Sequence, residues 1–66
     1  METMNRVNEL MTERNLTLYR LSQMSGVSYS TLKNTAKRNG QLSVDTIEWI
    51  CEGLRIPLSE FFSERS

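Results

Sequence analysis

The strongest constraint on how this chain folds is a glycine set between two short helical patterns. Before it, Leu18, Leu21 and Met24 recur at helical spacing and mark the apolar face of a short helix. After it, the stretch "YSTLKNTAKR" presents only Leu32, with Thr35 or Ala36, as an apolar edge. Gly26 suits the positive φ that a chain adopts just past a helix end. Thr17 and Ser28 each offer a hydroxyl to cap the helix that follows. A short helix, a turn of about four residues containing a glycine, and a polar second helix make a helix-turn-helix pattern.

Helical spacing continues on both sides of this unit. Met4, Val7, Leu10 and Met11 form one stripe of a first helix, and Asn15 can end it because Asn tolerates the left-handed conformation. The segment "NGQLS", with Asn39 and Gly40 at its head, reads as a loop, since its flanks lack strand alternation. Ser43 caps a fourth helix, and Asp45 in its first turn suits the positive end of the dipole. Val44, Ile47, Ile50, Cys51 and Leu54 predict a broad buried face on it. Pro57 opens a fifth, short helix at or near its first position, with Leu58, Phe61 and Phe62 as its apolar side. No segment alternates with period two, so the expected fold is all-α. With 66 residues, one domain is expected over 1–66. A domain this small hides only about 60% of the surface its unfolded chain exposes, so a partner subunit has room to add stability.

The chain has no net charge, but the charge is segregated. Residues 1–13 carry Arg6 against Glu2, Glu9 and Glu13, a net −2. Residues 14–40 carry Arg14, Arg20, Lys33, Lys37 and Arg38 against no acid, a net +5. Residues 41–66 carry Arg55 and Arg65 against Asp45, Glu48, Glu52, Glu60 and Glu64, a net −3. A basic block between acidic flanks is either one face for a polyanion or a solvated surface of uneven charge. Hydrophobic residues at 38% and charged residues at 24% are ordinary for a globular chain. No apolar run approaches the roughly 20 residues of a membrane helix, and the first ten residues lack the apolar core of a secretion signal. Cys51 has no partner for a disulfide, and without histidine a zinc site has almost no ligands. The expected setting is a reducing cytoplasm, with no cofactor, metal or small-molecule ligand.

The helix-turn-helix pattern gives the basic block a purpose. The first helix of the unit braces the second through Leu21 and Leu32, and an α-helix so projected fits the major groove of DNA. Cations along it can neutralise phosphates, and an acid there would repel them. At these residues the chain resembles the Xre-type helix-turn-helix regulators, which include phage Cro proteins and repressors. "LTLYRLSQMSGVSYSTLKN" is similar to the core of that family, and "LSVDTIEWICEGLRIPLSEFF" to its two closing helices. The resemblance spans nearly the whole chain without gaps. It implies a compact, lambda-repressor-like five-helix bundle that binds specific DNA sequences, usually as a homodimer, and regulates transcription.

Carried over by position, Thr17 matches the cap of a helix whose N-terminus meets phosphate. Ser28, Tyr29 and Ser30 match the opening of the recognition helix, and Lys33 and Asn34 its next exposed turn. Asn34 is then suited to adenine and Lys33 to guanine, each good pair being worth roughly 1–3 kcal/mol of discrimination. Tyr29 is placed for a thymine methyl or a phosphate. Lys37 and Arg38 are expected at phosphates. The chain departs from the family in having Leu18 where Gln is common, which removes a polar contact. It also has Arg20 where Glu often completes a capping box, which opposes the helix dipole but puts a cation where phosphate would lie. Ala36 and Arg38 replace a common Glu and Gly, removing one acid beside the expected DNA face.

Three aromatic residues point to a partner subunit. Trp49 lies off the apolar face of the fourth helix and is suited either to a dimer contact or to lying over its own domain. Phe61 and Phe62 are neighbours, so one is expected inside and the other at the dimer interface. Glu9 and Glu13 lie one turn apart but have no nucleophile nearby, so enzymatic work is not expected. The shortness of the chain favours a repressor over an activator with its own effector domain. A rival expectation is a protein-interaction module, antitoxin-like or an accessory subunit, with weak or no DNA binding. The neutral charge and Leu18 favour that rival, and the acid-free block opposes it.

Overall fold

Capping residues divide the chain into five helices: α1 Thr3–Arg14, α2 Leu18–Ser25, α3 Tyr29–Lys37, α4 Val44–Leu54 and α5 Leu58–Phe61. The structure is a computed structural model that describes residues 2–38 and 40–63. Asn39 of the expected loop, and Glu64 and Arg65 of the acidic flank, lie outside the described residues. Among the described residues there is no strand. The all-α expectation holds, and the five helices match the expected bundle.

The helix ends follow from local chemistry. The Thr17 hydroxyl accepts the Arg20 N–H at 3.1 Å, the Ser28 hydroxyl that of Thr31 at 3.1 Å, and the Ser43 hydroxyl that of Thr46 at 3.2 Å. Each satisfies one amide that a helix start would otherwise leave open. Asn15 adopts the left-handed conformation at φ 53° and closes α1, with the Leu16 N–H donating to the Met11 carbonyl at 2.9 Å. Arg55 does the same for α4 at φ 58°, and Ile56 N–H reaches the Cys51 carbonyl at 3.0 Å. Gly26 takes φ 78° after α2. Nothing lies within 4 Å of where its Cβ would stand, so the glycine is needed for conformation and not for space. Pro57 is the residue just before α5.

The core gathers Met4, Val7 and Leu10 of α1, Leu21 of α2, Val27 of the turn, Leu32 of α3, Leu42, four residues of α4 and Phe61. The α4 contribution is Ile47, Ile50, Cys51 and Leu54. Val44 was expected with them but is 69% exposed. It is the first residue of α4, where Cα–Cβ bonds tilt toward the N-terminus and past the packed turn. Met24 is also exposed, contrary to its place in the α2 stripe. A Cβ at Gly53 would lie 2.7 Å from the Met24 carbonyl oxygen and 2.8 Å from Ser25 Cα. Helix α4 therefore approaches α2 backbone to backbone, and that leaves the bulky Met24 at the rim.

Polar clasps tie the ends of the chain together. Glu2 gives α1 no side-chain cap, and the Thr3 N–H donates instead to Gln41 Oε1 at 2.7 Å. The Thr3 hydroxyl accepts the Leu42 N–H at 2.6 Å. Arg6 is only 2% exposed. Its Nε donates to the Phe61 carbonyl at 2.6 Å and its Nη2 to the Glu60 carbonyl at 2.7 Å. The Glu60 carbonyl also accepts the Ser63 N–H at 3.2 Å, whereas the Phe61 carbonyl is one that the end of a one-turn helix leaves open. Glu9 at 3.2 Å and Glu60 at 3.9 Å balance the guanidinium charge. Sequence spacing suggested no link from Arg6 to α5, because those carbonyls lie 54 and 55 residues away.

Candidate nucleic-acid interface

Helix α3 is held by a narrow edge and free elsewhere. Leu32 is fully buried, Thr35 buried and Ala36 half-buried, as the thin apolar edge predicted. Leu21 of α2 is fully buried as well, and Val27 fills the turn between the two helices. At about 100° per residue, Ser30, Asn34 and Lys37 fall opposite Leu32, with Lys33 and then Tyr29 between them and the packed edge. All five are exposed. The ridge expected for contact is therefore open to solvent.

The electrostatics of this face follow from where the acids are. Glu9 pairs with Arg6, and Glu13 with Arg14 at 3.4 Å. Arg20, Lys33, Lys37 and Arg38 make no ion pair with any described residue. Ser28 is exposed, but its hydroxyl is largely used within α3, accepting the Thr31 N–H and donating to Thr31 Oγ1 at 2.8 Å. Thr17 likewise spends its hydroxyl on the α2 cap. Leu18, where a polar residue was the alternative, is half-buried against the core. Arg20 Nη1 reaches Gln23 Oε1 at 3.5 Å.

Two residues join this surface that sequence reasoning missed. Tyr19 is 60% exposed, and its ring meets Tyr29 edge to face, with centroids 6.0 Å apart at 72°. Gln23 Nε2 donates to the Tyr19 hydroxyl at 3.3 Å. Lys33 Nζ stands 5.8 Å from the centre of the Tyr29 ring. The available signal was a large aromatic on the face of α2 opposite Leu21. Tyr29 itself is exposed and not a core residue.

A family model of the Cro/C1-type HTH DNA-binding domain matches residues 6–63. The chain belongs to this family. It is thus a DNA-binding helix-turn-helix domain, with α2 and α3 as the two helices of the motif. Comparison with curated proteins and with solved structures gives no match.

Elsewhere on this Cro/C1-type domain, the residues expected at a dimer interface separate. Phe61 is fully buried, so it is the one of the pair that lies inside and not at that interface; among the described residues it is the largest wholly enclosed side chain, and it closes the core from α5. Phe62 is exposed and lies edge to face against Phe61, with centroids 5.1 Å apart. Trp49 is 50% exposed, and Leu58 is exposed too. Cys51 is buried in the stripe of α4, and burial pushes its thiol up, with the nearby Glu48 carboxylate adding to the effect. A thiol held protonated is a poor nucleophile. Among the described residues, no three His, Cys, Asp or Glu side chains group to hold a metal ion, and no helix is long and apolar enough to cross a membrane.

Proposed function

We propose that this domain is a sequence-specific transcriptional regulator, a repressor, that lays α3 in the major groove of duplex DNA. The observation that carries the reading is the face of α3 opposite Leu32. There Ser30, Asn34 and Lys37 stand exposed beside Lys33, and neither lysine has a carboxylate partner among the described residues. Asn34 and Lys33 read base edges, with Ser28, Tyr29 and Ser30 at the start of the same ridge. Thr17 at the α2 N-terminus, Arg20, Lys37 and Arg38 hold phosphates. A homodimer formed through Trp49 and Phe62 sets two α3 helices about 34–36 Å apart, one turn of duplex. The extents of 29 × 23 × 23 Å let two copies lie side by side at that spacing. One buried cysteine suits a cytoplasmic regulator.

Binding to duplex at several salt concentrations tests this. With Arg20, Lys37 and Arg38 at phosphates, log K is expected to fall with log[salt] at a slope of about −3 per subunit. Asn34→Ala is expected to relax the preference for a site selected from random DNA, and Lys37→Ala to weaken all sequences alike. A response flat in salt would instead favour the protein-interaction module.

A further inference from the structure

The Tyr19–Tyr29 contact joins the two helices of the motif outside the core. Tyr19 belongs to α2 and Tyr29 is the first residue of α3, and both rings are exposed. Arg20, Gln23, Tyr19, Tyr29 and Lys33 form a continuous chain of contacts across this surface. Tyr29 has both the Tyr19 ring and the Lys33 ammonium next to its own ring. A ring with two such neighbours loses less freedom on binding than a free one, which is the physical content of preorganisation. Tyr29 is still 41% exposed at the start of α3, so part of its ring is open to a ligand. In the major groove, the apolar group that a side chain can recognise is the 5-methyl of thymine.

We propose that Tyr19 is a positioning residue that holds the Tyr29 ring against a thymine 5-methyl group, so that α2 contributes to sequence preference through α3. This rests on the reading of α3 as the groove-entering helix. Tyr19 lies on the exposed side of α2 and is not part of the core. Its removal is therefore expected to leave the fold intact, as read by helical circular dichroism.

The test uses a duplex selected from a random pool by the wild-type protein. Each thymine in it is replaced in turn by deoxyuridine, which removes only the methyl group. At one thymine, the wild type is expected to lose about fourfold in affinity, the effect of burying one such group. Tyr29→Ala should show no methyl effect there. Tyr19→Ala should reduce it to about twofold or less, while Tyr19→Phe, which keeps the ring, should retain it in full. Lys37→Ala, by contrast, should lower binding to selected and unselected duplex alike and leave the methyl effect in place. Sequence-selective binding with no methyl-sensitive thymine overturns this inference alone, as does a full methyl effect in Tyr19→Ala. A wild-type protein that selects no duplex overturns it together with the reading beneath it.

Discussion

Arg6 and Arg55 show how much a single side chain can carry in so small a fold. Arg6 closes α5 with two charge-assisted hydrogen bonds to its last carbonyls. Arg6→Met keeps the aliphatic stem and removes both bonds, so stability is expected to fall by about 3 kcal/mol. Urea unfolding measures this, and amide exchange in α5 should accelerate most. Arg55 sits in the left-handed region, where a side chain costs roughly 1–2 kcal/mol that glycine does not. Arg55→Gly is expected to raise stability by about 0.5–1 kcal/mol, because the added freedom of the unfolded chain offsets part of the relief. Thermal unfolding would show it.

Among the helices, the α2–α4 contact sets how α3 is presented. Gly53 permits that contact, since a methyl there would meet the backbone of Met24 and Ser25 at 2.7–2.8 Å. Alanine at this position would gain about 1 kcal/mol of helix propensity. Overpacking costs typically 1–3 kcal/mol, more than that gain. Gly53→Ala is therefore expected to destabilise the domain by up to about 2 kcal/mol. Because α2 must shift for the methyl to fit, and α3 is braced on α2 through Leu21 and Leu32, affinity for the selected duplex should fall too. Thermal unfolding of the two proteins reads the first change, and titration calorimetry with the selected duplex reads the second.

As a body, the domain gathers Arg20, Lys33, Lys37 and Arg38 on the α2–α3 surface, with Arg55 at the end of α4 the other cation that has no ion partner among the described residues, and it exposes Trp49, Leu58 and Phe62 along α4, α5 and the end of α5. In the proposed dimer Trp49 is the anchor. Trp49→Ala is expected to weaken self-association about thirtyfold, the size of an interface hot spot. Sedimentation equilibrium measures the change. The emission of Trp49 in the wild type should shift to shorter wavelength as concentration rises, since the indole leaves water. The monomeric variant should still bind single half-sites, with weaker affinity for the paired site.

Local signals were enough to read the five helices, the caps at Asn15, Thr17, Gly26, Ser28 and Ser43, and the open ridge of α3, but not the Arg55 cap of α4. Thr17, Ser28 and Ser43 act on amides three residues away, and Asn15 and Gly26 act through their own φ. Such effects travel with the sequence. The placement of Val44 and Met24, the enclosure of Phe61, the Arg6 clasp, the close approach at Gly53 and the Tyr19–Tyr29 pair do not. Each depends on which helix ends or backbones meet, and residues as far as 55 positions apart come together only when the whole core closes. Periodicity states which face of a helix is apolar, whereas packing decides how far along that face the core reaches.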